Sequence, residues 1–330
     1  MTIQSKARKP FIGSNVTDWI PIIFSAILLL YWWQPWVYLT PSISSILFIN
    51  FSVVAALLWW ADGYEREPAK TILWAILWGV FPAISITSLV TPGEASLFVA
   101  AIVEEASKLL GLFWIYKRGS IHSATDALVM GGFIGLGFTI FEDFTYSTGT
   151  SEAVEILIYR GIFSVFAHTL FSGIGAAIMF LLWKRLGGGG VVLGFIASYL
   201  IHYLWNISLS IDLASISPLV YLIVYAVWPP VALIVTCILV RQRETSHIRS
   251  SGAIAVANGV INQDTLNHIL NRSDRKKALK QIGSMSDRRR YQRELHVSAR
   301  QILEFDESHY LQITSDELGH SLTDEEDPWV

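Results

Sequence analysis

Apolar residues fall in long, almost unbroken blocks separated by short polar stretches. Eight blocks stand out, at roughly 19–39, 43–61, 72–90, 95–116, 125–147, 156–183, 188–209 and 216–240. Each is close to the ~20 residues that an α-helix needs to cross a bilayer. The pattern predicts an all-α, multi-pass transmembrane bundle of about eight spans. Residues 1–18 are expected to form a short arm, 19–240 the membrane domain and 241–330 a soluble tail, helical or partly disordered. The first block is long, and no small-residue cleavage site follows it, so a cleavable signal peptide is not expected.

Composition agrees. Apolar residues make up 52% of the 330 and charged residues only 15%, against ~25% charged in soluble proteins. Residues 1–240 hold 11 of the 24 Lys/Arg and 13 of the 27 Asp/Glu, so the last 90 residues are ordinary in polarity. No domain-wide basic excess exists, which argues against a nucleic-acid binder. One cysteine, Cys237, excludes a disulfide scaffold.

Lys/Arg residues mark the cytoplasmic side. The arm carries Lys6, Arg8 and Lys9. The second, fourth and sixth loops carry Arg66 and Lys70, Lys117 and Arg118, and Lys184 and Arg185. Arg241 and Arg243 follow the last span, whereas the odd-numbered loops have none. Both termini are therefore expected in the cytoplasm, which an even number of spans requires. Arg160, inside the start of the sixth block, is the exception.

Trp32, Trp33, Trp36, Trp59, Trp60, Trp114, Trp205 and Trp228 read as interfacial anchors near span ends. Gly131, Gly132, Gly135 and Gly137 should give the fifth span a small-residue face for close packing. Pro229-Pro230 should kink the eighth. In the tail, 272–300 is basic and 304–327 acidic. The basic stretch could rest on anionic lipid, and a solvated face is the equal alternative.

Charges inside spans cost about 2.5–3.5 kcal/mol each by insertion measurements, so they mark candidate functional residues. The fourth span carries Glu104, Glu105 and Lys108, and the fifth Glu142, Asp143 and Tyr146. The sixth carries His168, and the seventh His202 and Asn206. At ~1.5 Å per residue these groups lie roughly 5–18 Å below the outer face, so they can line one cavity. Either Glu104 or Glu105 can pair with Lys108, while Glu142 shares a face with Tyr146 and His202 with Asn206. The adjacent glutamates point ~100° apart and should do different jobs. Asp143 is expected to reach outer water, and His122 and Asp126 to be solvated at the cytoplasmic edge. Each residue alone has a structural explanation; together they are too costly for one.

The order of motifs resembles the PrsW family of membrane-embedded proteases, relatives of the CAAX prenyl endopeptidases. Glu104-Glu105-x-x-Lys108 matches EExxK, and Phe141-Glu142-x-x-x-Tyr146 matches FExxxY. His168 follows with Gly175, and His202 comes last, with Asn206 in an HxxxN arrangement. The match covers roughly 95–210. FExxxY in place of FxxxH favours PrsW over prenyl-protein processing.

The resemblance implies an intramembrane endopeptidase of the glutamate type. Glu104 is then the first choice for general base, tuned by Glu105 or Lys108. His168 positions the water, and His202 and Asn206 stabilise the oxyanion. Glu142 shares in water activation or structure, with Phe141 and Tyr146 in support. No cofactor is expected. A zinc mechanism is the alternative, with His168, His202 and Glu104 as ligands; no HExxH occurs.

Some PrsW members cut a single-span anti-sigma factor, so the implied partners are membrane lipid and a membrane-anchored protein substrate. The tail could bind a cytoplasmic partner. The expected location is a bacterial plasma membrane. Two rival functions are a proton-coupled transporter and a non-catalytic scaffold. The transporter predicts inverted repeats and discontinuous helices at the site, and the sequence shows neither.

Overall fold

The structure is a computed structural model that describes residues 12–13, 15–33, 39–63, 66–91, 96–148, 150–211 and 217–321. Among these residues it is helical throughout, with no strand. The helices are α1 Ile20–Trp33, α2 Pro41–Ala61, α3 Ala69–Trp78, α4 Ile84–Val90, α5 Leu97–Lys117 and α6 Ala124–Ser147. They continue with α7 Ala153–Phe163, α8 Ala167–Leu186, α9 Gly188–Ser210, α10 Pro218–Leu222 and α11 Trp228–Ala257. The last three are α12 Gln263–Leu270, α13 Arg272–Gln281 and α14 Met285–Ser321.

Among the described residues, six helical stretches are long and apolar enough to cross a membrane: Pro41–Ala61, Ala69–Val90, Ala124–Ser147, Ala153–Trp183, Gly188–Ser210 and Leu219–Ala257. The protein is a multi-pass membrane protein. The first block is a shorter apolar helix, Val16–Tyr31, and its expected end at 34–38 lies outside the described residues. The fourth block, α5, has the length of a span, but Glu104, Glu105 and Lys108 fall in every 18-residue stretch of it.

The chain forms two compact units, one of residues 1–63 and 67–241 and one of 64–66 and 242–330. In the first, α6 is the central helix, with almost every residue buried. Its glycines explain how neighbours come so close, though they do not form the single face expected. A Cβ on Gly131 would meet the Ser172 carbonyl at 2.6 Å, and one on Gly135 would strike the His168 carbonyl, both on α8. Gly132 instead faces Leu58 of α2, and Gly137 the Ile76 carbonyl of α3. Gly131 and Gly135, four apart, share one face, whereas Gly132 and Gly137 are turned about 100° and 240° from Gly131 at ~100° per residue, so α6 accepts neighbours on three sides. A second close contact joins α8 to α9, where Gly175 and Gly194 lie against each other's backbone.

Among the described residues, two spans contain π-helical turns. Gly79–Ala83 carries Pro82. Ile223–Val227 sits just ahead of Pro229-Pro230, so the expected disturbance falls on the N-terminal side, where proline removes backbone bonds.

The sixth block holds the largest departure from the expected pattern. It is broken at residues 164–166, between α7 and α8. The Arg160 carbonyl accepts bonds from Ser164 N at 2.7 Å, Val165 N at 3.0 Å and Ser164 Oγ at 2.9 Å. This ends one helix, and the next begins at Ala167. A discontinuous helix therefore exists where none was expected. Neither glycine nor proline lies at the break, so the usual signal is missing.

The second unit has its own apolar core of Ile248, Ala255, Leu266, Ile269, Leu295, Ala299, Ile302 and Leu303. Asn262 caps α12 by accepting from Thr265 N at 2.7 Å.

Candidate active site

Four helices each bring a polar group to one place: α5 with Glu104, Glu105 and Lys108, α6 with Glu142, α8 with His168, and α9 with His202. The glycine contacts set the distances. Gly135 lets the backbone at His168 press against α6, and Gly175 with Gly194 draws α9 toward α8.

Glu105 is the hub. Its Oε1 accepts from Lys108 Nζ at 2.6 Å and from His202 Nδ1 at 2.9 Å. Its Oε2 accepts from Ser172 Oγ at 3.3 Å and, in a very short contact, from Ser198 Oγ. Four donors thus occupy both oxygens of a buried carboxylate, as a buried charge requires.

Glu104 is placed differently. Its Oε2 is buried and has no hydrogen-bond partner among the described residues. It lies 3.8 Å from His202 Nε2 and 3.9 Å from Lys108 Nζ. The neighbouring glutamates do point into different surroundings, as the 100° rotation between them requires.

Lys108 is almost wholly buried, its side chain 1% exposed. Besides Glu105 it meets His168 Nδ1 at 3.0 Å and lies 4.1 Å above the Phe138 ring. His168 Nε2 in turn is 3.0 Å from Glu142 Oε2. Proton positions follow from the partners. An ammonium only donates, so His168 Nδ1 accepts and Nε2 carries the hydrogen given to Glu142. Glu105 as a carboxylate only accepts, so His202 Nδ1 donates to it. In the neutral imidazole this leaves a lone pair on His202 Nε2, facing Glu104.

Aromatic rings wall the histidines. Phe171 stacks on His202 at 5.2 Å, and the two histidine rings meet edge to face at 4.8 Å. Trp205, expected as an interfacial anchor, is buried between Phe171 and Tyr225 instead. It lies three residues after His202 and so on the same side of α9. Asn206 is half-buried and has no side-chain hydrogen bond among the described residues. Phe141 is buried in the core of the first unit.

Several polar residues belong to this site that sequence spacing did not assign to it. Arg160 donates from Nη2 to Glu142 Oε2 at 2.8 Å and, in a very short contact, from Nε to Asp143 Oδ1. Its guanidinium lies 4.2 Å from the centre of the Tyr146 ring. Asp143 is fully buried rather than open to outer water, because Arg160 reaches it from α7. Tyr146 is 58% exposed, and its ring lies beside the Arg160 guanidinium that binds Glu142. Ser172 and Ser198 were missed because serines in apolar helices are common. Arg160 did leave a signal, as the lone cation on the face otherwise free of them.

Among the described residues, two groups of side chains are compact enough to hold a metal ion by distance. The ligand atoms of Glu104, His168 and His202 lie within 4.8 Å of one another, as do those of Glu67, His122 and Asp126. In the second group, Asp126 Oδ2 accepts from His122 N at 2.9 Å and Ser123 N at 3.0 Å, within the capping box that starts α6. Asp126 is therefore buried, not solvated as expected, because helix capping uses its carboxylate.

Comparison with known proteins adds one finding. The family model described as PrsW family intramembrane metalloprotease matches residues 67–234, just over half of the chain and all four site helices. No curated protein and no solved structure matches.

Proposed function

Because the chain belongs to the PrsW family of intramembrane metalloproteases, we propose that it hydrolyses a peptide bond of a membrane-anchored protein with a water held between Glu104 and His202. The observation that carries this reading is the pair of acceptors, Glu104 Oε2 and His202 Nε2, facing each other at 3.8 Å. The carboxylate oxygen is buried without a hydrogen-bond partner among the described residues. A water can donate to both.

Glu104 takes a proton from that water as its oxygen attacks the carbonyl carbon. The Asn206 amide, one turn beyond His202, donates to the developing oxyanion. Glu104 then returns the proton to the leaving nitrogen as the C–N bond breaks. Lys108 and Glu105 fix the two imidazoles through their Nδ1 atoms. This reading gives the water-positioning role to His202, where the sequence resemblance gives it to His168.

The family description implies a metal ion, and distance alone admits one at Glu104, His168 and His202. The donor set does not fit. A metal ligand must offer a lone pair, and His168 Nδ1 spends its own on Lys108 while Nε2 carries a hydrogen toward Glu142. Two lone-pair groups are left, where catalytic zinc sites use three protein ligands. Hydrolysis is accordingly assigned to Glu104 and water.

The substrate class follows from the family and the helical bundle: a protein with a membrane anchor, of which a single-span regulator such as an anti-sigma factor is the leading candidate. A bacterial plasma membrane is the proposed location. Co-expression with tagged single-span proteins tests this. Cleavage should occur with the wild type and fall by a factor of about 10²–10⁴ with Glu104→Gln; cleavage at the wild-type rate in Glu104→Gln overturns the assignment. The helix break ahead of His168 is the feature that fits a proton-coupled transporter. Ligand-dependent proton uptake in liposomes with no cleavage would move the function there.

A further inference from the structure

We infer that Arg160 is a positioning residue for this site, acting through Glu142 to orient His168. The inference rests on the hydrolytic reading above and adds a residue to it. An arginine in an apolar run is costly, and this one is partnered at both ends. Its carbonyl accepts the bonds that close α7 and turn the chain into α8, one residue before His168. Its guanidinium binds Glu142 Oε2, the same oxygen that meets His168 Nε2. One residue therefore sets both the backbone entry to His168 and the acceptor for its ring hydrogen.

The second arm fixes the first. Nε binds Asp143 Oδ1, and the guanidinium carbon lies 4.2 Å from the centre of the Tyr146 ring. A planar guanidinium with donors in a rigid fork can serve two adjacent carboxylates at once, which a lysine ammonium does less well. The result is a directed chain in which Lys108 donates to His168, His168 donates to Glu142, and Arg160 also donates to Glu142. With a donor on Nδ1 and an ionised acceptor on Nε2, the His168 ring can neither flip nor change tautomer without losing a bond. Its edge-to-face contact then holds the His202 ring against the gap beside Glu104.

The test is a double-mutant cycle on the purified, full-length protein with a cleavable single-span substrate. Arg160→Gln should lower kcat by about 100-fold, the loss expected when a remote change misplaces reacting groups by about 1 Å, with KM little changed. Glu142→Gln should lose a similar factor, and the double variant should be no worse than Glu142→Gln alone, because Arg160 acts through Glu142. Arg160→Lys should recover part of the loss. Spectra of ¹⁵N-labelled histidine should show His168 as the Nε2–H tautomer in the wild type and as a tautomer mixture in Arg160→Gln. This readout is independent of activity and also reports whether the variant folds.

Independent, multiplying losses in the double variant would overturn the inference. So would wild-type kcat in Arg160→Gln, or an unchanged His168 tautomer. If Glu142→Gln and His168→Ala both keep full activity, the hydrolytic reading of that pair fails, and this inference falls with it. If those two variants are inactive while Arg160→Gln is not, only the role of Arg160 is rejected.

Discussion

Glu104 and Glu105 are neighbours in sequence with opposite surroundings. Four donors hold Glu105, whereas Glu104 Oε2 has no hydrogen-bond partner among the described residues. The two should respond differently to the same substitution. Glu105→Gln leaves Lys108 buried without its closest carboxylate, a loss of about 3–5 kcal/mol for breaking a buried pair. The unfolding midpoint in detergent should fall sharply. Glu104→Gln should leave that midpoint nearly unchanged and lower initial cleavage rates by a factor of about 10²–10⁴, the usual contribution of a general base. The sequence brought Glu104, Glu105, Lys108, Glu142, His168 and His202 to one site, because charges in apolar helices are conspicuous. It could not tell Glu104 from Glu105, since that depends on Ser172, Ser198 and His202 arriving from other helices.

At the scale of elements, glycines decide which helices can bring their polar groups together. Gly135 on α6 is the sharpest case, because a Cβ there would strike the His168 carbonyl. Gly135→Ala should destabilise the protein by about 1–3 kcal/mol through overpacking and, by displacing α8, should also lower the cleavage rate. Gly188→Ala is the control: nothing lies within 4 Å of its Cβ, so thermal midpoint and rate should stay as they are. The composition of α6 announced close packing, but its glycines serve α2, α3 and α8 rather than one partner. The break between α7 and α8 was illegible for a different reason. It is made by Ser164 and the Arg160 carbonyl, and serine inside an apolar run carries no stop signal.

At the scale of the whole molecule, the two units make separate predictions. The second has its own core around Leu266 and Ile269. Leu266→Ala should cost about 2–5 kcal/mol there, seen as faster limited proteolysis of residues 242–321, while cleavage by the first unit continues at the wild-type rate. The expected orientation is tested by labelling cells with a membrane-impermeant maleimide after replacing buried Cys237. Ser151→Cys, in an arginine- and lysine-free loop, should react from outside; Ser286→Cys, in the tail, should react only after the membrane is opened. The all-helical, membrane-spanning character was plain from the apolar blocks. The tail was harder to read, because its core is assembled from residues up to 55 apart, Ile248 to Leu303, with no local period long enough to display it.

The central claim is that Glu104 activates water without a metal ion. The most direct test is cleavage of a single-span substrate by purified protein in liposomes, with and without a zinc chelator, for the wild type and Glu104→Gln. The wild type should cleave at the same rate in chelator, and Glu104→Gln should be slower by a factor of about 10²–10⁴ in both conditions. Loss of wild-type cleavage in chelator, restored by added zinc, would contradict the claim and assign the same residues to a metal centre.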